Sequence, residues 1–267
     1  MANIALGNQK GGVGKTTTTI NLIRAGVTSG YRVLALDADP QANLTKALAP
    51  EYHGVIERSL ASIMDRNKST PMLDVIVPTE WDGVDIVPSG GDELADAAQN
   101  LVAMKAGREF RISKALGEID GKYDLVMIDC PPSLDQLAIN AFTAADALAI
   151  VTEPGLFALD GLDRLLDTVD VVREYLNRDL FVAGAIINGY RYTRRMDRWC
   201  SDIREALGPL GIPVLEPPVH EVTWIAEAQE AGYGLDQWPS PKASALHKDY
   251  VEKLEAIIAS IKERKNR

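Results

Sequence analysis

The segment Lys10-Gly11-Gly12-Val13-Gly14-Lys15-Thr16-Thr17 gathers glycines, two lysines and two hydroxyls into one short stretch. Glycines let the backbone turn its N–H groups inward around an anion, and a helix starting here adds partial positive charge. Lys15 then reaches a β- or γ-phosphate and the Thr16 hydroxyl suits Mg2+. This is a phosphate cradle, and Gly11, Gly12, Val13, Gly14, Lys15, Thr16 and Thr17 are the expected nucleotide contacts. The usual pattern G-x-x-x-x-G-K-[ST] would need glycine at position 9, where this chain has Gln9, and an extra lysine stands at Lys10. On position alone Lys10 has two readings, a solvated loop lysine or a phosphate-directed cation offered to a facing subunit.

Two further strand ends carry acids. RVLALD ends in Asp37-Ala38-Asp39-Pro40-Gln41, and residues i and i+2 of an extended chain point the same way. YDLVMID ends at Asp129 after an apolar run, as in a Walker B element that engages Mg2+. An aspartate after a strand is ordinarily a turn or helix N-cap residue, but open α/β sheets bind ligands at the carboxyl ends of their strands, where these acids lie. The set assigns Thr16, Asp129 and Asp39 to the metal, with Asp39 also orienting or polarising an attacking water. Cys130, next to Asp129, reads as a small packing residue.

The elements that must position these residues follow from the alternation of short apolar runs with amphipathic stretches, the signature of βαβ units. Strands are expected at 3–7, 32–37, 73–77, 84–87, 124–129, 147–151, 181–187 and briefly 213–215, with helices at 15–29, 93–117, 136–144, 161–176, 196–207 and 243–262. Gly30 and Gly117 read as helix C-cap glycines. The fold class is α/β, a doubly wound, mostly parallel sheet flanked by helices, with residues 1–267 as a single P-loop domain.

A net charge of −10 opposes long-range attraction to polyanions, so contact with nucleic acid would need a local basic patch. Cys130 and Cys200 form no C-x-x-C, which leaves no disulfide framework or zinc spacing. Neither a signal sequence nor an apolar membrane span is visible, and the expected location is cytoplasmic.

Taken together, these residues resemble the deviant Walker A ATPases of the ParA/Soj and MinD group, most of all the ParA-type partition proteins. NQKGGVGKTTTTINL is similar to the deviant P-loop, RVLALDADPQANLT to the second acidic motif, and YDLVMIDCPPSLDQLAINAFTAAD to the Walker B region, with LFALDGL following. The resemblance implies ATP and Mg2+ as cofactors, Lys10 as the lysine that crosses an ATP-sandwiched homodimer, Lys15 and Thr16 as the in-cis phosphate and Mg2+ residues, and Asp39 as the hydrolytic carboxylate. It also suggests that Asn188 contacts adenine and that backbone around Pro217 completes the pocket.

Family members bind double-stranded DNA non-specifically when ATP is bound and release it after hydrolysis stimulated by a ParB-like centromere-binding protein. This implies nucleoid association in the ATP state. The candidate surface here is the arginine cluster Arg191, Arg194, Arg195 and Arg198, interleaved with aromatics, whose affinity would fall with salt. Its alternative is a solvated helix start paired with acids. The basic group Lys262, Arg264, Lys265 and Arg267 reads as a solubilising helix end. Because only nine residues precede Lys10, no operator-binding segment and no autorepression are expected. A MinD-like membrane-associated or protein-positioning ATPase is the alternative function, but VEKLEAIIASIKERKNR lacks the Trp or Phe of a membrane-seeking helix, so no stable membrane association is expected. An iron–sulfur carrier lacks its paired cysteines, and for an ATP-dependent ligase no convergent second-substrate residues are visible.

Overall fold

The computed structural model describes residues 1–52 and 56–266; of the basic group at the end of the chain, Arg267 lies outside the described residues. Among the described residues one sheet holds seven strands, β1 (Ala2–Gly7), β2 (Val33–Asp37), β3 (Val77–Pro78), β4 (Val84–Val87), β5 (Leu125–Asp129), β6 (Ala147–Thr152) and β7 (Phe181–Ile187). Their order is β3-β4-β2-β5-β1-β6-β7, and every pairing is parallel except β3 with β4. The helices are α1 (Lys15–Thr28), α2 (Asn43–Leu48), α3 (Leu60–Met64), α4 (Met72–Val75), α5 (Asp92–Leu101), α6 (Arg111–Gly117), α7 (Gln136–Ala144), α8 (Ala158–Tyr175), α9 (Arg194–Leu207), α10 (Trp224–Glu230) and α11 (Pro241–Lys265).

Each central strand is apolar on both faces because helices cover both. On β1, Ile4 and Leu6 enter the core shared with α1, α2, α10 and α11, while Ala5 enters the core shared with α3 to α9. On β5, Leu125 and Met127 take the first side and Val126 and Ile128 the second, the period of two expected of a strand. β1 lies between β5 and β6, where the sheet changes its direction of growth. Crevices at such a point are where doubly wound sheets take ligands. Register sets Asp129 opposite Leu6 of β1 and Asp37 of β2, so the strand ends meet on one edge.

The expected doubly wound fold is present, with local corrections. Residues 73–77 are not a strand: α4 makes one helical turn there, burying Met72 and Val75, and only Val77–Pro78 reaches the sheet, antiparallel, with Pro78 ending the ladder. The single helix expected over 93–117 is two. α5 stops at Leu101, Gly107 turns the chain with φ 79°, and a buried side chain of α7, Asn140, accepts from the Arg111 N–H at 3.0 Å and starts α6 afresh. Gly117 is the last residue of α6 with no left-handed φ, whereas Gly30 (φ 86°) follows α1 as expected. Residues 213–215 form only an isolated bridge, Val214 beside Ala185, since Pro217 and Pro218 follow after Glu216.

Candidate functional site

β1 delivers the chain to the carboxyl edge of the sheet and α1 carries it away, so residues 8–14 wrap the mouth between them. Asn8 anchors the turn. Its side-chain amide donates to the Val151 carbonyl of β6 at 2.7 Å and its Oδ1 accepts from the Lys10 N–H at 2.9 Å. Gly12 and Gly14 take φ 77° and 81°, a region that disfavours any Cβ. Gly14 is constrained a second time, because a Cβ there would fall 2.1 Å from the Asn188 Nδ2 atom. α1 begins with no side-chain cap, leaving its first N–H groups for an anion.

Lys15 is buried, its Nζ donating to the Lys10 carbonyl at 3.3 Å. Burial lowers its pKa, and the nearby Asp129, Cys130 and Asp39 oppose that shift. Val13 is buried and its carbonyl accepts from the Asn188 Nδ2 atom at 2.9 Å, while Thr17 lies half-buried on the first turn of α1.

Asp129 is fully enclosed. The Thr16 hydroxyl donates to one oxygen at 2.6 Å and the Thr19 hydroxyl to the other at 3.0 Å. Burial nonetheless pushes its carboxyl up to about 6. Thr19 is a partner that sequence reasoning missed. Its signal was the i+3 spacing from Thr16 on one helix face.

The two acids after β2 separate. Asp37 is completely buried and accepts from the Thr45 N–H at 2.8 Å and hydroxyl at 2.6 Å, and from the Asp39 N–H at 3.2 Å. Burial, with the Asp129 charge beside it, raises it to about 7. Asp37 thus shapes the turn. Asp39 is buried as well, 8% exposed, one oxygen accepting from the Gln41 N–H at 3.0 Å and its carbonyl accepting from the Ser89 hydroxyl at 2.7 Å.

The mouth also holds Lys10, whose side chain is 48% exposed and pairs with Glu153 at 3.4 Å. Glu153 was not singled out from the sequence, although it is an acid directly after β6. Just beyond it Leu156 and Phe157 are 73% and 66% exposed. Cys130 is buried and burial drives its thiol far up, as suits a packing residue.

The donor set fits a magnesium-bound nucleotide. Thr16 and Asp129 supply a hydroxyl and a carboxylate side by side, and Mg2+ is commonly held by one or two carboxylates together with phosphate oxygens. Among the described residues no cluster of three or more His, Cys, Asp and Glu offers an all-protein cage.

Asn188 and Pro217 come from neighbouring segments. Asn188 directly follows β7, and the exposed Pro217 lies in the stretch that pairs beside it, Val219 N–H donating to the Ile187 carbonyl at 2.8 Å and Tyr190 N–H to the Val219 carbonyl at 2.9 Å. The four arginines divide. Arg191 forks onto Glu221, with Nη2 to Oε1 at 2.7 Å, and Arg195 stacks over Trp199 at 4.4 Å. Arg194 and Arg198 are exposed on the first turns of α9. No helix among the described residues is long and apolar enough to cross a membrane.

Comparison with known proteins follows the same lines. Residues 1–182 match the AAA domain family AAA_31. The chain is 36% identical to the sporulation initiation inhibitor protein Soj of Bacillus subtilis, over 81% of this chain and 87% of that protein. It is 38% identical to the chromosome partitioning protein ParA of Caulobacter vibrioides, over 77% and 76% respectively. A solved structure of cobyrinic acid a,c-diamide synthase from Mycobacterium smegmatis with bound ATP analog and magnesium superposes with TM-score 0.75 at 32% identity, covering 90% of this chain and 96% of that one. Apo McdA from Cyanothece shares the fold with TM-score 0.83 at 23% identity, over 97% and 99%. The P-loop, the acidic strand ends and these relatives agree, and the chain belongs to the ParA/Soj family of P-loop partition ATPases.

Proposed function

We propose that residues 1–267 act as one P-loop domain that uses MgATP as a switch: ATP closes a homodimer, the dimer holds double-stranded DNA without sequence preference, and hydrolysis lets go. The observation that carries this reading is the mouth itself. A half-exposed Lys10 and the exposed Leu156 and Phe157 border a phosphate cradle, a cation and an apolar face that a second copy would cover.

In this reading the backbone of Gly11, Gly12, Val13, Gly14 and Thr17 and the Lys15 ammonium bind the phosphates. Thr16 and Asp129, with Asp39 nearby, hold Mg2+, which supplies charge neutralisation of the phosphate oxygens when bound. Asp39, 8% exposed where Asp37 is wholly enclosed, orients the attacking water. Lys10 leaves Glu153 to reach the partner's nucleotide, and Asn188 and Pro217 flank the adenine. Turnover of the isolated chain is weak, because a single carboxylate orients the water and no second copy supplies its Lys10 to the phosphates. A ParB-like partner supplies the stimulation. DNA contact falls to Arg194, Arg195 and Arg198, with Arg191 held back by Glu221, and it places the ATP-bound protein on the nucleoid.

The test is binding to random-sequence duplex DNA without nucleotide, with ADP and with ATP, across a salt series, for wild type and Lys10→Ala. ATP-dependent, salt-sensitive binding that Lys10→Ala loses is expected. No DNA binding under any nucleotide overturns the reading in favour of a membrane-associated or protein-positioning ATPase, which liposome binding would then detect.

A further inference from the structure

Lys253 of α11 keeps 1% of its surface exposed, a costly place for an ammonium without a partner. Its Nζ donates to the carbonyl of Glu216 at 3.1 Å. Burial lowers its pKa, opposed by Asp249, Glu216 and Glu252. From the other side Arg204 of α9 donates through Nε to the Glu216 carboxylate at 2.8 Å. Two cations from two helices therefore hold one residue, by its backbone and by its side chain.

The chain that leaves Glu216 runs directly along the end of β7. Val219 bonds to Ile187 and to Tyr190, the two positions that bracket Asn188, and Asn188 in turn reaches the Val13 carbonyl of the P-loop. The spacing between Pro217 and the P-loop is thus set at Glu216, the last residue before that segment. Apolar contacts of α11 with the core explain why the helix is there, but not why a buried position in it carries a charge directed at a loop carbonyl.

We propose that Lys253 and Arg204 are positioning residues for the purine base: they hold the 216–219 backbone where it recognises adenine and disfavours guanine. The chemistry is a difference of edges. Adenine carries a donor amine where guanine carries a carbonyl, so fixed backbone carbonyls favour the first and repel the second. A segment free to shift would tolerate both. The proposal rests on the reading that Asn188 and Pro217 flank the base.

The experiment measures ADP and GDP affinity by calorimetry, and ATP turnover, for the full chain and for Lys253→Met, which keeps an unbranched side chain of similar length. The expected result is a fall of about five- to tenfold in the adenine-over-guanine preference, with KM for ATP rising alike and kcat changing by less than about twofold. Arg204→Gln, at an exposed pair that leaves folding intact, should move the preference the same way by about twofold, and Arg204→Lys should restore it. A purely structural role would change melting temperature but not the ratio between the two bases. An unchanged preference in folded Lys253→Met and Arg204→Gln overturns the clamp alone. A wild type that binds ADP and GDP equally overturns the adenine reading and the clamp with it.

Discussion

The P-loop with its acidic strand ends and the β7–α9 edge sit on the same rim of the sheet but are built differently. In the first, Asp37, Asp129, Lys15 and Thr19 are buried and each is bonded within the sheet's central turns. In the second, Arg191, Arg204, Glu216 and Glu221 are all substantially exposed and paired across loops. Enclosed charges that lose one partner are left unsatisfied at full cost, whereas exposed pairs contribute little. The centre is therefore rigid before any nucleotide arrives, while the edge, apart from the Glu216 backbone that the buried Lys253 holds, is adjustable.

That contrast ranks the effects of substitution. Lys15→Ala should reduce nucleotide affinity and turnover together by about 10²–10³-fold, and Asp39→Ala should reduce turnover by a similar factor while binding holds, read by steady-state hydrolysis and nucleotide titration. An Asp39→Ala protein that hydrolyses ATP at the wild-type rate removes that residue from the mechanism. Next, Gly14→Ala places a Cβ in the left-handed region at about 1–2 kcal/mol and against Asn188, so chemical denaturation should show the stability loss and nucleotide affinity should fall with it.

At the edge the changes are smaller. Replacing Arg194, Arg195 and Arg198 by alanine should reduce the slope of log DNA affinity against log salt by about 0.9 for each phosphate that is no longer neutralised. Arg191→Ala should change it less, since Glu221 already neutralises that guanidinium. Equal slopes for the two variants would erase the distinction drawn between the arginines.

The smallest effect lies behind the site, where the Nε2 of His247 sits 2.9 Å from the Thr28 hydroxyl. Burial, with Arg24 beside it, lowers the pKa of His247 from 6.5 against the pull of Asp236. Its contribution is present above that value and is lost as pH falls through the lowered folded pKa, because the unfolded chain takes the proton first. His247→Gln should flatten the melting temperature between pH 7 and pH 5 by about 1–3 °C.

Legibility in the sequence followed the same division. Gly12, Gly14, Lys15, Thr16 and Asp129 stand in one strand–turn–helix unit and one neighbouring strand end, so spacing along the chain is spacing in the site. Asp37 and Asp39 looked equivalent by period, and only the Thr45 hydroxyl, supplied by α2, made one of them a turn anchor. Lys253 and Glu216 carry no local pattern, since each meets a partner far away in the chain, and Glu153 shows only its place after a strand. The break between α5 and α6 was hidden for the same reason. Asn140, which starts the second helix, belongs to another element.

The Lys10–Glu153 pair at the mouth gives the resting protein an electrically quiet entrance. A cation facing a carboxylate at that distance presents a dipole to the solvent, and a dipole's field fades far faster than a charge's. Stray phosphate and sulfate drifting past are attracted only weakly there, and the pull on an anion comes from deeper, from the open end of α1 with Lys15 beside it. The rim lysine is thus kept in reserve by its own chain, available to whatever can offer it more than one carboxylate.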